Sequence, residues 1–397
     1  MLNIHDSNRS TVAPAAGSAL WQLGFRPFFL CASAFAALSV ALWATEFSGH
    51  LPTGYVHSPI WHAHEMLFGF TLAVVAGFLF TAVRNWTGHR TPTGPLLMAI
   101  VVLWIAGRVL VAIRMPVAAA LVNVAFPLAV AAAIAVPLAR AGNRRNYFFV
   151  VLLVVLGAAQ AGVHATYLGL VVWEPAASLQ IGVDIVLLVI SVMGGRVIPM
   201  FTNNGIPGTA ARRDTWVEAA ALGGTFALLL GDLAQVPEPL VAAVLALAAV
   251  AHARRWWLWQ PWRTTRTPLV WILHAAYAWI VVHLVLRLLA QHELVPESLA
   301  LHAFTMGAIG GMTLGMMVRT ARGHTGRPIV ADAHERGMFV LVALAPIVRV
   351  AGGALLPDAL YLWTVGIAGA CWAAAFGWYA IRYAPILARP RADGKPG

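Results

Sequence analysis

Apolar runs long enough to cross a bilayer recur twelve times along the chain, and this constrains the fold more than any other feature. A hydrocarbon core of about 30 Å takes roughly 20 apolar residues in a helix. Such runs lie near residues 27–46, 60–83, 95–113, 117–139, 147–172 and 177–199. The second half continues with 214–234, 239–253, 268–290, 297–318, 337–354 and 359–383, of which the eighth is the shortest. The sequence therefore predicts an all-α polytopic membrane protein of about twelve transmembrane helices, one membrane domain over 21–389. Short tails at 1–20 and 390–397 flank it, and the first is polar and expected to be disordered.

Composition narrows the class further. Of 397 residues only 10% are charged and 60% are apolar, against about a quarter charged in an average soluble protein. A net charge of +11 is almost all arginine, since Lys395 is the only lysine. Gathered mostly in interhelical loops, that charge reads as a topology signal and not as a nucleic-acid surface. The N-terminal segment, the even-numbered loops and the C-terminal tail hold 22 of the 26 Lys and Arg residues. Basic loops stay on the cytoplasmic side, so both termini are expected there, in a bacterial cytoplasmic (inner) membrane. Cys31 and Cys371 both fall in apolar runs, and no disulfide is expected.

A repeat of four helices is visible. Spans two, six and ten each end on an arginine followed by a polar turn and a proline: Arg84 with Pro92, Arg196 with Pro207, Arg319 with Pro328. Spans three, seven and eleven each carry one ionisable residue late: Arg108, Asp232 and Arg349. These matches predict three units, 21–142, 143–262 and 263–389.

Ionisable residues inside a span are costly and mark function by default. Counting 1.5 Å per residue from the expected outer face, His62, His64 and Glu65 open span two, and His302 opens span ten at the same level. His164, His283, Asp184, Arg108, Arg287 and Arg349 also fall in the outer half. Against them the inner half has His274, with His252 at the end of span eight. Imidazoles on facing helices suit haem or metal ligation, and arginines suit the propionates of a haem. A lone membrane histidine is more often a packing residue; five at one depth favour a cofactor. Spans two and ten also share a local pattern, His62-Ala-His-Glu-Met66 and His302-Ala-Phe-Thr-Met306. Glycines below each histidine (Gly69, Gly77, Gly307, Gly310, Gly311, Gly315) offer clearance for a macrocycle or for a neighbouring helix. The polar turn Asn203-Asn204 reads as a loop feature, and His5, His50, His57, His89 and His324 as solvated, with His57 the exception worth keeping because it lies five residues before His62.

Four segments carry a family resemblance. They are Trp21-Gln-Leu-Gly-Phe-Arg-Pro-Phe-Phe29, Trp61-His-Ala-His-Glu-Met66, Gly194-Gly-Arg-Val-Ile-Pro-Met-Phe-Thr-Asn-Asn204, and His302-Ala-Phe-Thr-Met-Gly-Ala-Ile-Gly-Gly-Met312 through to Arg319-Thr-Ala-Arg-Gly-His-Thr-Gly-Arg-Pro328. In these the chain resembles the NnrS family of haem- and copper-containing inner-membrane proteins, associated with denitrification and protection against nitric oxide and nitrosative stress. A more distant similarity is to the twelve-helix catalytic subunit of haem–copper oxidases and nitric oxide reductases. There the second and tenth helices supply the axial histidines of a haem. His62 and His302 match that pattern. The chain departs from it in lacking adjacent histidines after span six and a His-x-x-x-Tyr pattern within it.

The resemblance implies haem b and copper as cofactors and nitric oxide as the small-molecule partner, within the lipid bilayer. An electron donor, quinol or cytochrome, is left open, as is the choice between a nitric oxide-metabolising oxidoreductase, a scavenger and a sensor. The expected axial ligands are His62 or His64 with His302, the propionate partners Arg108 and Arg349. Copper would lie near His64, His164 and His283, and Glu65 and Asp184 are the candidate proton carriers. The rival readings are a twelve-helix secondary transporter with a proton-coupled histidine site, and an assembly protein that hands on haem or copper. A transporter site belongs at the midplane, whereas the polar residues here gather toward one face.

Overall fold

In the computed structural model, residues 19–47, 49, 55–56 and 58–395 are described; the expectations for the N-terminal tail, His5, His50 and His57 lie outside them. Among the described residues the chain is 82% helical with no strand. Among the described residues twelve helices are long and apolar enough to span a bilayer, so the chain is a multi-pass membrane protein. They are α1 (Phe25–Phe47), α2 (Ser58–Thr87), α3 (Gly94–Ala112), α4 (Pro116–Arg140), α5 (Arg144–Tyr167) and α6 (Pro175–Gly205). After these come α7 (Thr215–Ala234), α8 (Glu238–Arg263), α9 (Pro268–Gln291), α10 (Glu297–His324), α11 (Ala333–Leu355) and α12 (Tyr361–Ala388).

Consecutive helices pack side by side, and α12 packs against α1, which closes the bundle into a ring. Three helices sit innermost. The apolar stretch of α2 is 83% buried and those of α6 and α10 are 72% buried, while no other helix exceeds 56%. In a membrane the outer helices keep apolar faces toward lipid, so polar groups collect on inner helices. His64, Glu65 and Asp184 follow that rule, all nearly inaccessible.

The helices end where local chemistry stops them, and often beyond the apolar run. The eighth span, short in sequence, stays helical through Arg254 and Arg255 to Leu258, and a separate 3-10 turn over Pro261–Arg263 follows it. Helix α6 passes Pro199 and runs on to Gly205, so Asn203-Asn204 closes the helix instead of following it. There the Asn203 amide staples the next loop, donating to the Ala211 carbonyl (2.8 Å) and accepting from the Ala211 N–H (2.8 Å). His324, expected to be solvated, is the last residue of α10 and packs on Phe25, with ring centroids 5.5 Å apart. Asp214 caps α7 by accepting from the N–H groups of Trp216 and Val217. Asp332 and Glu335 form a reciprocal capping box at the start of α11.

The glycines answer the clearance question. A Cβ on Gly307 would lie 2.7 Å from the Cβ of Trp279, on Gly311 2.9 Å from the Cβ of Ala276, and on Gly77 2.9 Å from the Cβ of Phe28. Neighbouring side chains already fill these three gaps, so Gly77, Gly307 and Gly311 serve close helix packing. Gly194 and Gly195 do similar work in α6, making room for Tyr277 and for Arg255, whose guanidinium is buried against Glu218.

Candidate functional site

Three helices depart from α-helical winding, each at a polar residue. Wider π-helical turns cover Glu65–Thr71 in α2, Ala303–Gly310 in α10 and Ile347–Ala351 in α11. The first begins just after His64, the second just after His302, and the third contains Arg349. A π turn inserts one residue and re-aims the side chains beside it, which is why such turns collect at functional sites.

His62, His302 and Arg349 all line one cavity of about 370 Å³, walled by α1, α2, α6, α10, α11 and α12. That volume suits a bound small molecule or cofactor. Most of the wall is apolar, including Met66 and Met306. The shared His-Ala-x-x-Met pattern thus puts its histidine and its methionine, one turn apart, on the same wall in both α2 and α10.

The two cavity histidines are set differently. The Nδ1–H of His302 donates to the Ser298 carbonyl at 2.6 Å, which leaves Nε2 as the ring's lone-pair nitrogen. His62 is stacked by Trp43, with centroids 4.3 Å apart, and its buried Nδ1 has no partner. Among the described residues neither Nε2 makes a hydrogen bond. The ring centroids of His62 and His302 stand 6.5 Å apart. At the rim Arg349 donates to the Tyr361 hydroxyl (3.0 Å), while its other terminal nitrogen is buried without a partner.

A second cluster lies on the other side of α2. His64 faces away from the cavity and pairs through Nδ1 with Glu65 Oε1 at 2.9 Å. The other Glu65 oxygen accepts from Arg108 at 2.8 Å, with both side chains nearly inaccessible. Arg108 continues to Asn123, which also accepts from Gln160 at 3.0 Å. Arg108 is therefore committed to Glu65 and Asn123, and of the two expected propionate partners only Arg349 reaches the cavity. The His164 ring meets that of His64 with centroids 4.9 Å apart, and its Nε2 is buried without a partner. Tyr55 lies 3.3 Å from its Nδ1. Burial, then the Glu65 charge, pushes the Tyr55 phenol up to about 12, so it stays protonated.

A third cluster joins α6, α7 and α9. Arg287 donates to Asp184 (3.0 Å) and to Asp232, and Gln180, which lines the cavity, donates to Asp184 (3.0 Å). One Asp184 oxygen remains buried without a partner. His283 belongs to neither histidine pair: its Nδ1 bonds the Ala300 carbonyl (2.8 Å) and its ring packs on Phe304. Among the described residues no three His, Cys, Asp or Glu side chains converge as a metal site. On the far side of the bundle, His252 bonds Thr225 and Tyr277, and His274 bonds Thr202, so both are packing histidines.

Sequence reasoning passed over Trp43, Gln180 and Tyr361 in the cavity wall, and Asn123 and Gln160 behind it. Tyr361 alone carried a local signal, as the polar aromatic that opens α12 opposite Arg349.

A family model described as NnrS protein matches residues 19–391. No curated protein matches the chain.

Proposed function

The chain belongs to the NnrS family, and from that premise we propose that it is a haem b-binding protein of the nitric oxide response. Its site would be the cavity between His62 and His302, near the outer face of the bacterial cytoplasmic membrane. Family membership places the chain among membrane proteins that respond to nitric oxide. The observation that carries the haem reading is the pair itself: two inner-helix imidazoles 6.5 Å apart, lone pairs unused, in an apolar cavity.

In this reading His62 and His302 would hold the iron, the Ser298 carbonyl fixing the His302 tautomer. Arg349, with a free buried N–H, neutralises a propionate that would otherwise be a bare carboxylate in low dielectric. Met66, Met306 and the other apolar wall residues keep water out. A haem b held there would supply an iron able to bind nitric oxide where one histidine is displaced, and able to accept an electron from a quinol or cytochrome donor. Asp184, with one free oxygen and a link to the cavity through Gln180, is the better placed proton carrier; both Glu65 oxygens are occupied. Copper finds less: His64 and His164 offer two imidazoles, His283 stands apart, and no step is assigned to copper here.

The test is an absorption spectrum of the detergent-purified protein, oxidised, reduced, and reduced with nitric oxide, with iron and copper counted on the same sample. A haem b spectrum that shifts with nitric oxide, fails in His302→Ala and survives in His64→Ala is the expected result. A folded protein without a Soret band, made with ample haem, would overturn the reading and favour the transporter.

A further inference from the structure

The cavity described above occupies one end of α10; a second pocket occupies the other. His302 and Arg322 are separated by about 30 Å along the helix axis at 1.5 Å per residue, so the two lie at opposite membrane surfaces. This pocket, of about 360 Å³, is formed by the end of α10, the loop into α11 and the end of α12. Its wall carries Arg322, Arg327, Arg382 and Arg389, with Asp332 as the one acidic side chain.

The charges do not cancel. Arg322 is held by Glu335 (2.9 Å) and Asp332 (3.2 Å), and Arg382 shares Asp332 (3.3 Å). Glu335 is further occupied by the Tyr383 hydroxyl at 2.7 Å. Arg327 and Arg389 form no ion pair among the described residues. Burial, and then Arg322 and other neighbouring arginines, lower the pKa of Arg327, as expected where like charges crowd. The carboxylates thus fix two arginines as a frame, and two more line the pocket with no carboxylate partner among the described residues. Beside the pocket, Ile329, Val330 and Ile381 are exposed apolar side chains, 48%, 67% and 79% accessible. Guanidinium groups recognise phosphate through paired N–H donors, and basic pockets at the ends of membrane helices are suited to lipid head groups.

We propose that this pocket binds a phosphate-bearing anion, and that its occupant is the phosphodiester head group of an anionic membrane lipid whose acyl chains lie on the adjoining apolar surface. Arg327 and Arg389 supply the affinity, while Arg322 and Arg382 shape the wall. The site is independent of any cofactor in the opposite cavity.

The experiment uses the full chain, delipidated in a neutral detergent. Affinity is read by native mass spectrometry and by thermal shift for phosphatidylglycerol, phosphatidylcholine and inorganic phosphate in turn. Each arginine near an anionic surface is worth about a fivefold change in affinity. Arg327→Gln with Arg389→Gln should therefore weaken phosphatidylglycerol about 25-fold and leave the lipid-free melting point in place. Arg90→Gln with Arg266→Gln, two exposed arginines expected at the same membrane surface, should leave the affinity unchanged. Equal losses in the two double variants, or equal binding of phosphatidylcholine, would overturn the proposal. Inorganic phosphate matching the lipid in affinity and in sensitivity to the variants would keep the anion site and overturn the lipid as its occupant.

Discussion

Glu65→Gln separates two roles for a residue that the sequence marks as a proton carrier and the structure surrounds with donors. Glu65 is 2% exposed, and its two oxygens accept from His64 (2.9 Å) and from Arg108 (2.8 Å). If it is ionised, the amide removes the charge that compensates a buried guanidinium. Stranding one member of such a pair costs about 3–5 kcal/mol. Arg108→Met strands Glu65 instead, while Asn123 keeps its bond from Gln160, so a similar loss of about 3 kcal/mol or more is expected. The double variant buries neither charge and should cost less than either single, a coupling of about 3 kcal/mol or more. Reversible unfolding in mixed micelles of dodecylmaltoside and dodecyl sulfate, followed by circular dichroism, measures all four corners of the cycle. A Glu65→Gln protein within about 0.5 kcal/mol of wild type would refute the ion-pair reasoning. Glu65 would then be neutral at rest and free to carry a proton.

Two further substitutions test the frame. Gly307→Ala places a methyl group 2.7 Å from the Trp279 Cβ, 2.5 Å from its Cδ2 and closer still to its Cγ. The contact is at the base of the side chain, so α9 and α10 must part, at about 1–3 kcal/mol. Because Gly307 lies five residues after His302, haem content should fall with stability; a wild-type melting point would remove the packing role. Asp214→Ala deprives the Trp216 and Val217 N–H groups of their acceptor and should cost about 1 kcal/mol. Asp214→Asn should restore most of it in the same unfolding assay, and equal losses in both would argue against capping.

Much of the frame was legible because hydropathy sums over a span and tolerates local error. All twelve spans appear where apolar runs predict them. Their ends were less legible, because tertiary contacts carry helices past the apolar run: α6 to Gly205 through the Asn203 staple, α10 to His324 against Phe25. Position along a helix axis was legible too, since residue number converts to rise. Azimuth between helices was not. His164 and His283 share an expected depth, yet one meets His64 and the other meets Phe304 and the Ala300 carbonyl. Arg108 and Arg349 likewise matched in depth, but one is consumed by Glu65 and the other opens on the cavity.

The two-residue spacing of His62 and His64 explains why α2 serves two clusters at once. At 3.6 residues per turn they point about 200° apart, so one side of α2 faces α10 and the opposite side faces α3, α4 and α5. In α10 the same arithmetic separates His302 from Phe304. The residue two places after each cavity histidine therefore meets a histidine ring from a neighbouring helix: His64 meets His164 at 4.9 Å, and Phe304 meets His283 at 5.1 Å. On the α10 side that partner is a phenyl ring with no donor to offer a metal. On the α2 side it is an imidazole, but one whose Nδ1 is tied to the Glu65 carboxylate and so to Arg108. A ligand drawn to His64 and His164 must act on that ion pair. Its binding should then weaken or strengthen with Glu65→Gln, whereas binding between His62 and His302, across the helix, should be nearly indifferent to it.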